Sequence, residues 1–569
     1  MKELLNKLFL GLLFLAMVGN ARAQFFEKKN YDTQFFQWPV GAKVALVANF
    51  GELRPNHFHM GLDCRTEQVE NKPVYAAAAG YIAKVKIEPW GFGRALYVNH
   101  PNGFTTLYAH LNDFYPALEQ YIKEKQYALQ SWNIFIDLPA GLFPVSKGGL
   151  IAYSGNTGGS QGPHVHFEIR DTKTDQVVNP LLFDLPIQDN IAPDVLRLAV
   201  YDRRKSTYEQ VPKIYPLKKV NGVYMPAAGK LTVNTDQASF AITAYDRYTG
   251  STNQNGIYEA TLYDNDKAVS GFQMDRISYS DTRYLNGHID YKLRAGGGTY
   301  LQHLSRLPGN HSNIYKTDES NGVISFESTL NHNIRIEVAD PNGNTATVKF
   351  EVSSINSQKT PATEDQQNFF KPGFVNVFEN EDIQFYLDEG ALYDSFHFKY
   401  NQTSDVKGKP IYQVHNATVP LHNYFTLKIR DYLPAEDTSK VVMFRFYGPK
   451  TDYKKAVYEK GFYKASFREM GNFQLLTDST APIISAPGFA NGMNASKLSR
   501  LLFVVTDNTE EINKFTAVLD GRWLRFSNDK GRNFIYKFDE KCPPGPHELV
   551  ITAEDQVGNI TKKTYNFTR

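Results

Sequence analysis

Two twenty-residue stretches of this chain are variants of one pattern, and they limit what it can fold into. Residues 333–352 read NIRIEVADPNGNTATVKFEV and residues 548–567 read ELVITAEDQVGNITKKTYNF. In each, a run of alternating apolar and polar residues leads into Asp-x-x-Gly-Asn and then into a second run. Alternation with period two belongs to a strand with one buried face. Asp, Gly and Asn supply the side-chain acceptor and the positive φ that a tight turn needs, so each stretch reads as an antiparallel hairpin. The likeness extends upstream: Ile191-Ala192-Pro193 resembles Thr480-Ala481-Pro482-Ile483, and residues 240–246 (FAITAYD) echo 503–507 (FVVTD). Two β-sandwiches of immunoglobulin-like type are expected, at 189–355 and 479–569, the first with a large insertion around residues 265–325.

The remainder divides around these copies. At 569 residues the chain is too long for one core, and its 34 Tyr and 39 Phe favour strands. A polar linker is expected at 356–367, containing Pro361, and a β-rich unit of unknown type at 368–478. Residues 24–188 form another unit, which holds six of the 14 histidines. Within it, residues 74–85 read as strand, turn and strand, and residues 94–111 as a hairpin turning at Pro101-Asn102-Gly103. Residues 112–140 differ: Leu118, Tyr121 and Ile122 have helical spacing, with Asn112 as the expected cap. The fold class is therefore all-β, with a short helical insertion over a sheet.

Residues 1–23 read as a signal peptide. Lys2 and Lys7 precede an apolar run at 8–19 that is too short to span a bilayer, and Ala21-Arg22-Ala23 is a small-x-small cleavage site. That segment carries Lys2, Lys7 and Arg22 against Glu3, so the rest of the chain is close to neutral although the total is +2. A neutral chain has no basic field for nucleic acid, and no later segment is apolar enough for a transmembrane helix in the mature chain. The expected location is exported, either periplasmic or extracellular. The two cysteines, Cys64 and Cys542, are too few for a disulfide framework, and Cys64 reads as a small buried hydrophobe.

Three short motifs carry chemistry: His59-Met60-Gly61-Leu62-Asp63, Leu107-Tyr108-Ala109-His110-Leu111, and Gly162-Pro163-His164-Val165-His166-Phe167-Glu168. In a strand, His164, His166 and Glu168 share one face while Val165, Phe167 and Ile169 pack inward. His59, Asp63 and one histidine of the pair make three ligands of borderline hardness, the pattern of a catalytic zinc site with a fourth position for water. Spacing leaves open which of His164 and His166 binds. His110 ends a strand with Tyr108 and Thr106 on its face and is a candidate general base or oxyanion stabiliser. The glycine-rich turn at 154–159 lets backbone approach the contents of the cleft. His57 and His100 read as groove or surface residues. Beyond residue 188 the sequence clusters no His, Cys, Asp and Glu at chemical spacing, so scaffold or binding modules are expected there.

Together with Arg54, residues 73–76 (PVYA), Gly91-Phe92-Gly93, Asn99-His100 and Ser154-Gly155-Asn156-Thr157-Gly158, these motifs resemble a lysostaphin-type (LytM-type) zinc endopeptidase domain over about residues 40–185. The resemblance implies an antiparallel β-fold with the site in a groove. It implies His59, Asp63 and His166 as Zn2+ ligands, His110 and His164 as the catalytic pair, and peptidoglycan peptides as substrate. Two features depart from the family: residues 112–146 are longer than its usual link, and Ala79 stands where many members have an acidic residue.

The expected function is thus a secreted zinc metalloendopeptidase cutting peptide cross-links of peptidoglycan. The alternative is a non-catalytic peptidoglycan-binding or hydrolase-activating regulator with the same fold. A phosphocarrier of similar fold is opposed by the leader. The C-terminal sandwiches are expected to place the enzyme on the wall, on an envelope protein partner, or against its own groove as an autoinhibitor.

Overall fold

The computed structural model describes residues 25–27, 29–327, 330–356, 368–433 and 438–569; the leader expected at 1–23 and nearly all of the linker expected at 356–367 lie outside them. Residues 31–569 form one compact unit. The chain is all-β, and its longest described helix is Pro116–Leu129. No helix among the described residues is long and apolar enough to cross a membrane.

The N-terminal part is two layers. The larger sheet runs Leu46–Ala48, Leu62–Arg65, His164–Asp171, Phe104–Ala109, Arg94–Asn99, Gly80–Ile87, Ile134–Asp137, all antiparallel. The smaller one runs Pro73–Tyr75, Leu150–Ser154, Leu111–Phe114. Between them lies a core that includes Leu62, Cys64, Val74, Tyr108, Ile151, Val165, Phe167 and Ile169. The inward alternation expected for residues 164–169 is present, and Cys64 is a buried free thiol. The hairpin at 94–109 forms with Asn99 opposite Thr105, and Gly103 takes φ 82° in its turn. The strands expected within 74–85 belong to different sheets, with the chain crossing between layers at 76–79.

The helix begins differently from the expectation. Pro116 occupies its first turn, where the missing N–H costs nothing, and its N-cap is Tyr115 with no side-chain cap bond. Asn112 instead lies in the strand Leu111–Phe114 and donates to Glu70 Oε2 at 2.8 Å and Asn71 Oδ1 at 2.9 Å. Following the helix, Ile134–Asp137 adds a strand to the edge of the larger sheet.

Both repeats are hairpins: His332–Ala339 with Thr345–Ser354, and Pro546–Asp555 with Ile560–Thr568. Residues 189–355 build a twelve-stranded sheet assembly. Residues 368–478 contain two five-stranded sheets, and residues 479–569 two four-stranded sheets. The hydrophobic core of the 189–355 region also takes in Phe50, Phe58, Met60 and Val177. Phe58 and Met60 flank His59, so the segment that presents this histidine is anchored in the next part of the chain.

That shared core has a measurable consequence. Phe58 is 0% exposed, and its truncation to Ala should cost about 3–5 kcal/mol, read as a lowered denaturation midpoint of the full chain. Residues 24–188 alone would expose Phe50, Phe58, Met60 and Val177, and should melt well below the full chain or precipitate. A fragment as stable as the parent would contradict the shared core.

Candidate metal centre

Strand register assembles the centre. His166 lies directly opposite Asp63 on one side and Ala109 on the other. Opposed residues of an antiparallel pair share a face, so Asp63 and His166 are neighbours because the strands pair in this register. His59 arrives from the loop before Leu62–Arg65. Its Nε2 is 3.0 Å from Asp63 Oδ1 and 3.0 Å from His166 Nδ1, and these last two atoms are also 3.0 Å apart. Gly61 permits this approach, since a Cβ there would lie 2.9 Å from His166 Nε2 and 2.5 Å from the Phe167 carbonyl oxygen.

The hydrogen-bond partners fix how each ring can act. His59 Nδ1 donates to the Asn49 carbonyl at 2.7 Å, which leaves its Nε2 lone pair for the centre. His166 is turned the other way: its Nε2 donates to Glu168 Oε1 at 2.8 Å, and Nδ1 faces Asp63. Arg54 Nη2 donates to Asp63 Oδ2 at 3.4 Å, leaving Oδ1 toward the histidines. Such outer partners orient metal ligands and set their tautomers. Burial opposes charge on Asp63, but His59, His164 and His166 hold its carboxyl well below the ordinary value. Burial would likewise lower His166; the bonded carboxylates of Asp63 and Glu168 overcome it and hold it up at about 9.

Glu168 is fully buried. Burial would raise its pKa, yet Arg170 and His166 keep it at about 2. Arg170 Nε donates to Glu168 Oε2 at 2.7 Å, and Tyr279 donates its hydroxyl to Oε1 at 2.5 Å. Tyr279 comes from the 265–325 insertion. So does Thr282, whose Oγ1 accepts from Phe58 N at 2.9 Å and donates to Phe58 O at 3.1 Å. The alternation of His164, His166 and Glu168 marked Glu168 as facing the centre; Tyr279 and Thr282 carry no local signal, because their role exists only through tertiary packing.

His110 and His164 border the triangle, their ring centroids 4.8 Å apart. His110 Nδ1 donates to the Thr157 carbonyl at 2.8 Å and His164 Nδ1 to the Gly162 carbonyl at 2.8 Å. Both rings therefore turn Nε2 toward the centre, and His164 Nε2 lies 3.4 Å from Asp63 Oδ1. Burial, together with the neighbouring histidines, pushes His110 down to about 3. His110 does not share a face with Tyr108 and Thr106 as the alternation implied. Its φ of 61° breaks the strand and turns the ring to the opposite side, while Tyr108 and Thr106 hydrogen-bond each other between the sheets. The glycine turn brings its backbone to the centre through the Thr157 carbonyl at His110 Nδ1. A Cβ on Gly158 would overlap the N and Cα of Gly93, so the glycines let two loops meet and present Thr157 to His110. His57 is exposed, as read, but His100 is buried and bonded to Ala79 O and Thr106 Oγ1, so it belongs to the core.

The profile of peptidase family M23 matches residues 57–128, which hold His59, Asp63 and His110. The chain carries a peptidase family M23 domain of the LytM type. His164 and His166 lie beyond the matched residues, after the helix, and reach the M23 centre through the register given above. A Zu5-like domain profile matches residues 367–478. An uncharacterized metalloprotease of Haemophilus influenzae is 34% identical over 136 residues, 24% of this chain and 22% of its own. The peptidoglycan DD-endopeptidase ShyA of Vibrio cholerae is 25% identical over 176 residues, 30% of this chain and 34% of its own. The chain thus spans about a fifth to a third of these relatives. Among solved structures, the catalytic domain of the M23 protein EnpA from Enterococcus faecalis matches at 21% identity and TM-score 0.19, over 25% of this chain and 91% of that one.

The donor set fits a zinc ion. Two imidazole nitrogens and one carboxylate oxygen form a triangle with 3.0 Å edges, close to the edge of about 3.3 Å that a tetrahedron with bonds of 2.0–2.1 Å requires. Glu168→Gln replaces the charged acceptor of the His166 N–H. It should weaken zinc binding about 10–100-fold in a chelator competition, with the far-ultraviolet spectrum unchanged. Unaltered zinc affinity would show that Glu168 does not tune this ligand.

Proposed function

We propose that the M23 domain is a zinc-dependent endopeptidase that hydrolyses peptide cross-links of peptidoglycan outside the cytoplasm. The observation that carries this reading is the joint geometry of the 3.0 Å triangle and two histidines anchored through Nδ1 at its border. His59 Nε2, Asp63 Oδ1 and His166 Nδ1 are the ligands in this reading. Zinc held there supplies a Lewis acid for the scissile carbonyl and acidifies a water to a pKa of about 7.

The residues of the chain do the rest. Burial keeps His110 neutral, so its Nε2 enters the reaction with a free lone pair. His110 and His164 are placed to take the proton that the attacking water loses and to return it to the departing amide nitrogen. Their Nδ1 bonds to backbone carbonyls prevent the rings from flipping during that exchange. Peptidoglycan as substrate is supported by the likeness to the peptidoglycan DD-endopeptidase ShyA and by the family resemblance. Export rests on the leader at 1–23, and an envelope protein partner for the C-terminal units is part of the same reading.

One observation favours the second reading, a non-catalytic binding or activating module. The centre is deep: His59, Asp63, His110 and His166 are all less than a tenth exposed, and the Tyr279 segment walls one side. The test is digestion of purified peptidoglycan by residues 24–569, with and without a chelator, beside His110→Ala, with products read by mass spectrometry. Expected are chelator-sensitive peptide fragments, with release slowed about 10²–10⁴-fold in the variant and its zinc content retained. Stoichiometric zinc with intact peptidoglycan would support the module instead.

A further inference from the structure

The sequence showed no chemical cluster beyond residue 188, but folding makes one there. Asp189, Asp246 and Asp340 each place a carboxylate oxygen within 4.8 Å of the others. These residues are far apart in sequence: Asp189 precedes the first sandwich strand, Asp246 ends the strand Gln237–Tyr245, and Asp340 opens the hairpin turn. Asp246 is 0% exposed, and among the described residues its carboxylate meets no side-chain donor, only the backbone N–H of Arg247. Asp189 Oδ2 is buried without a donor, and so is Oδ1 of Asn255, whose backbone pairs with that of Asp246. A buried carboxylate with two carboxylate neighbours and a single backbone donor is costly to ionise unless a cation joins it. The nearby Arg247 offers its backbone N–H but no charge, because its guanidinium is paired with Asp194.

The arrangement occurs twice. Asp478, Asp507 and Asp555 form the matching triad in the C-terminal repeat. Asp340 accepts from Asn344 N at 2.9 Å and Nδ2 at 2.7 Å; Asp555 accepts from Asn559 N and Nδ2 at the same two distances. Asn344 Nδ2 also reaches the Asp189 carbonyl, as Asn559 Nδ2 reaches that of Asp478. In the second triad, too, Oδ2 of Asp478 and Oδ2 of Asp507 are buried without a donor. The Asp-x-x-Gly-Asn turn of the repeat thus recurs with two further aspartates supplied from the same places in the fold.

We propose that Asp189, Asp246 and Asp340 bind a divalent cation, and that calcium is the ion they suit. The donors are all oxygen, which selects hard cations over zinc or copper. Bonds of 2.3–2.6 Å let calcium span ligand atoms up to about 5 Å apart, and its remaining positions accept bidentate carboxylates, carbonyls and water. Consistent with a site built for positive charge, burial and then Asp189 and Asp340 push the Asp246 pKa up to about 8.

The position gives such an ion a structural task. Asp246 and Asn255 close the two ends of a loop whose Tyr248 hydroxyl accepts from Asn49 Nδ2 at 3.1 Å. Gly256, next to Asn255, exchanges hydrogen bonds with the Asn49 side chain at 2.8 and 2.9 Å. Asn49 is the residue whose carbonyl orients His59. A cation that fixes this loop therefore supports the M23 centre from outside it.

The test titrates calcium chloride into the zinc-loaded full chain, by calorimetry and by thermal unfolding, for the parent, Asp246→Asn and Asp189→Asn. The first substitution is isosteric and places a neutral amide where the carboxyl stands, so it should fold; circular dichroism and zinc content verify this. Expected are saturable calcium binding and a melting temperature several degrees higher in the parent, with one fewer equivalent bound by either variant. Absence of calcium binding by the parent would overturn the proposal, and so would variants that bind as many equivalents as the parent.

Discussion

The structure of the centre depends on one strand pairing. His164–Asp171 lies between Leu62–Arg65 and Phe104–Ala109, and its register sets His166 beside Asp63 and brings the end of the Phe104–Ala109 strand, with His110 after it, to the same place. A slip of one residue would turn His166 inward and put Val165 or Phe167 in its position, because strand side chains alternate. Register here is enforced by burial: Val165, Phe167 and Ile169 all lie in the core between the sheets. The apolar face thus specifies the polar one. The same sheet also exposes why His110 needs a positive φ: a regular continuation of its strand would have carried the ring into the core beside Tyr108.

Around that pairing, the rings are held by a layer of acceptors that differ in kind. Neutral carbonyls receive the N–H of His59, His110 and His164, whereas His166 alone has a carboxylate, Glu168, which is tied in turn to Arg170 and Tyr279. A charged acceptor makes a ligand imidazole more electron-rich than a carbonyl does. The two imidazoles of the triangle are therefore not equivalent, and the more electron-rich one is that whose environment reaches into the 265–325 insertion. The insertion is part of the centre's construction, although Tyr279 lies 113 residues after His166 in sequence.

Much of this was legible in the sequence where the signal was local. Alternation at 164–169, the Asn-Gly turn at 102–103 and the paired Asp-x-x-Gly-Asn hairpins are short-range patterns, and the structure contains all of them. Alternation also put His164 and His166 on one face, while the full set of five residues came from the family resemblance, because His59, Asp63 and His110 reach them only through long-range pairing. What escaped was set by long-range packing. Asn112 resembles a cap but is drawn into a strand by Glu70 and Asn71, and Pro116 starts the helix without it. His100 looks like a surface residue in a turn, yet Thr106 and the Ala79 carbonyl give both of its nitrogens partners inside. Each aspartate of the two triads stands alone in its own stretch of sequence, so no window could have shown them as a group.

The same long-range packing makes the chain a closed circuit of contacts. The M23 domain joins the 189–355 region through Phe58, Thr282 and the Asn49–Gly256 pair. That region meets the 368–478 unit where Thr207 N donates to Asp394 Oδ2 and Tyr393 donates to the Arg283 carbonyl. The third unit meets the fourth through Lys440 Nζ at the Val557 carbonyl. The fourth returns to the M23 domain, where Arg525 reaches the buried Gln126 at 2.7 Å, Lys123 pairs with Asp539, Trp523 packs edge-on to Tyr127, and Lys530 N donates to the Pro89 carbonyl. An exposed ion pair contributes little by itself, roughly 0–1 kcal/mol, but closure changes what each contact does. In an open string of domains a broken contact frees one neighbour. In a ring, no unit can turn without straining the other junctions, so the helix Pro116–Leu129 on one side of the M23 domain and the His59 loop on the other are constrained together. The helical insertion that departs from the family pattern thus supplies the side-chain contacts at Lys123, Gln126 and Tyr127 by which the last unit holds the first, beside the backbone bond at Pro89.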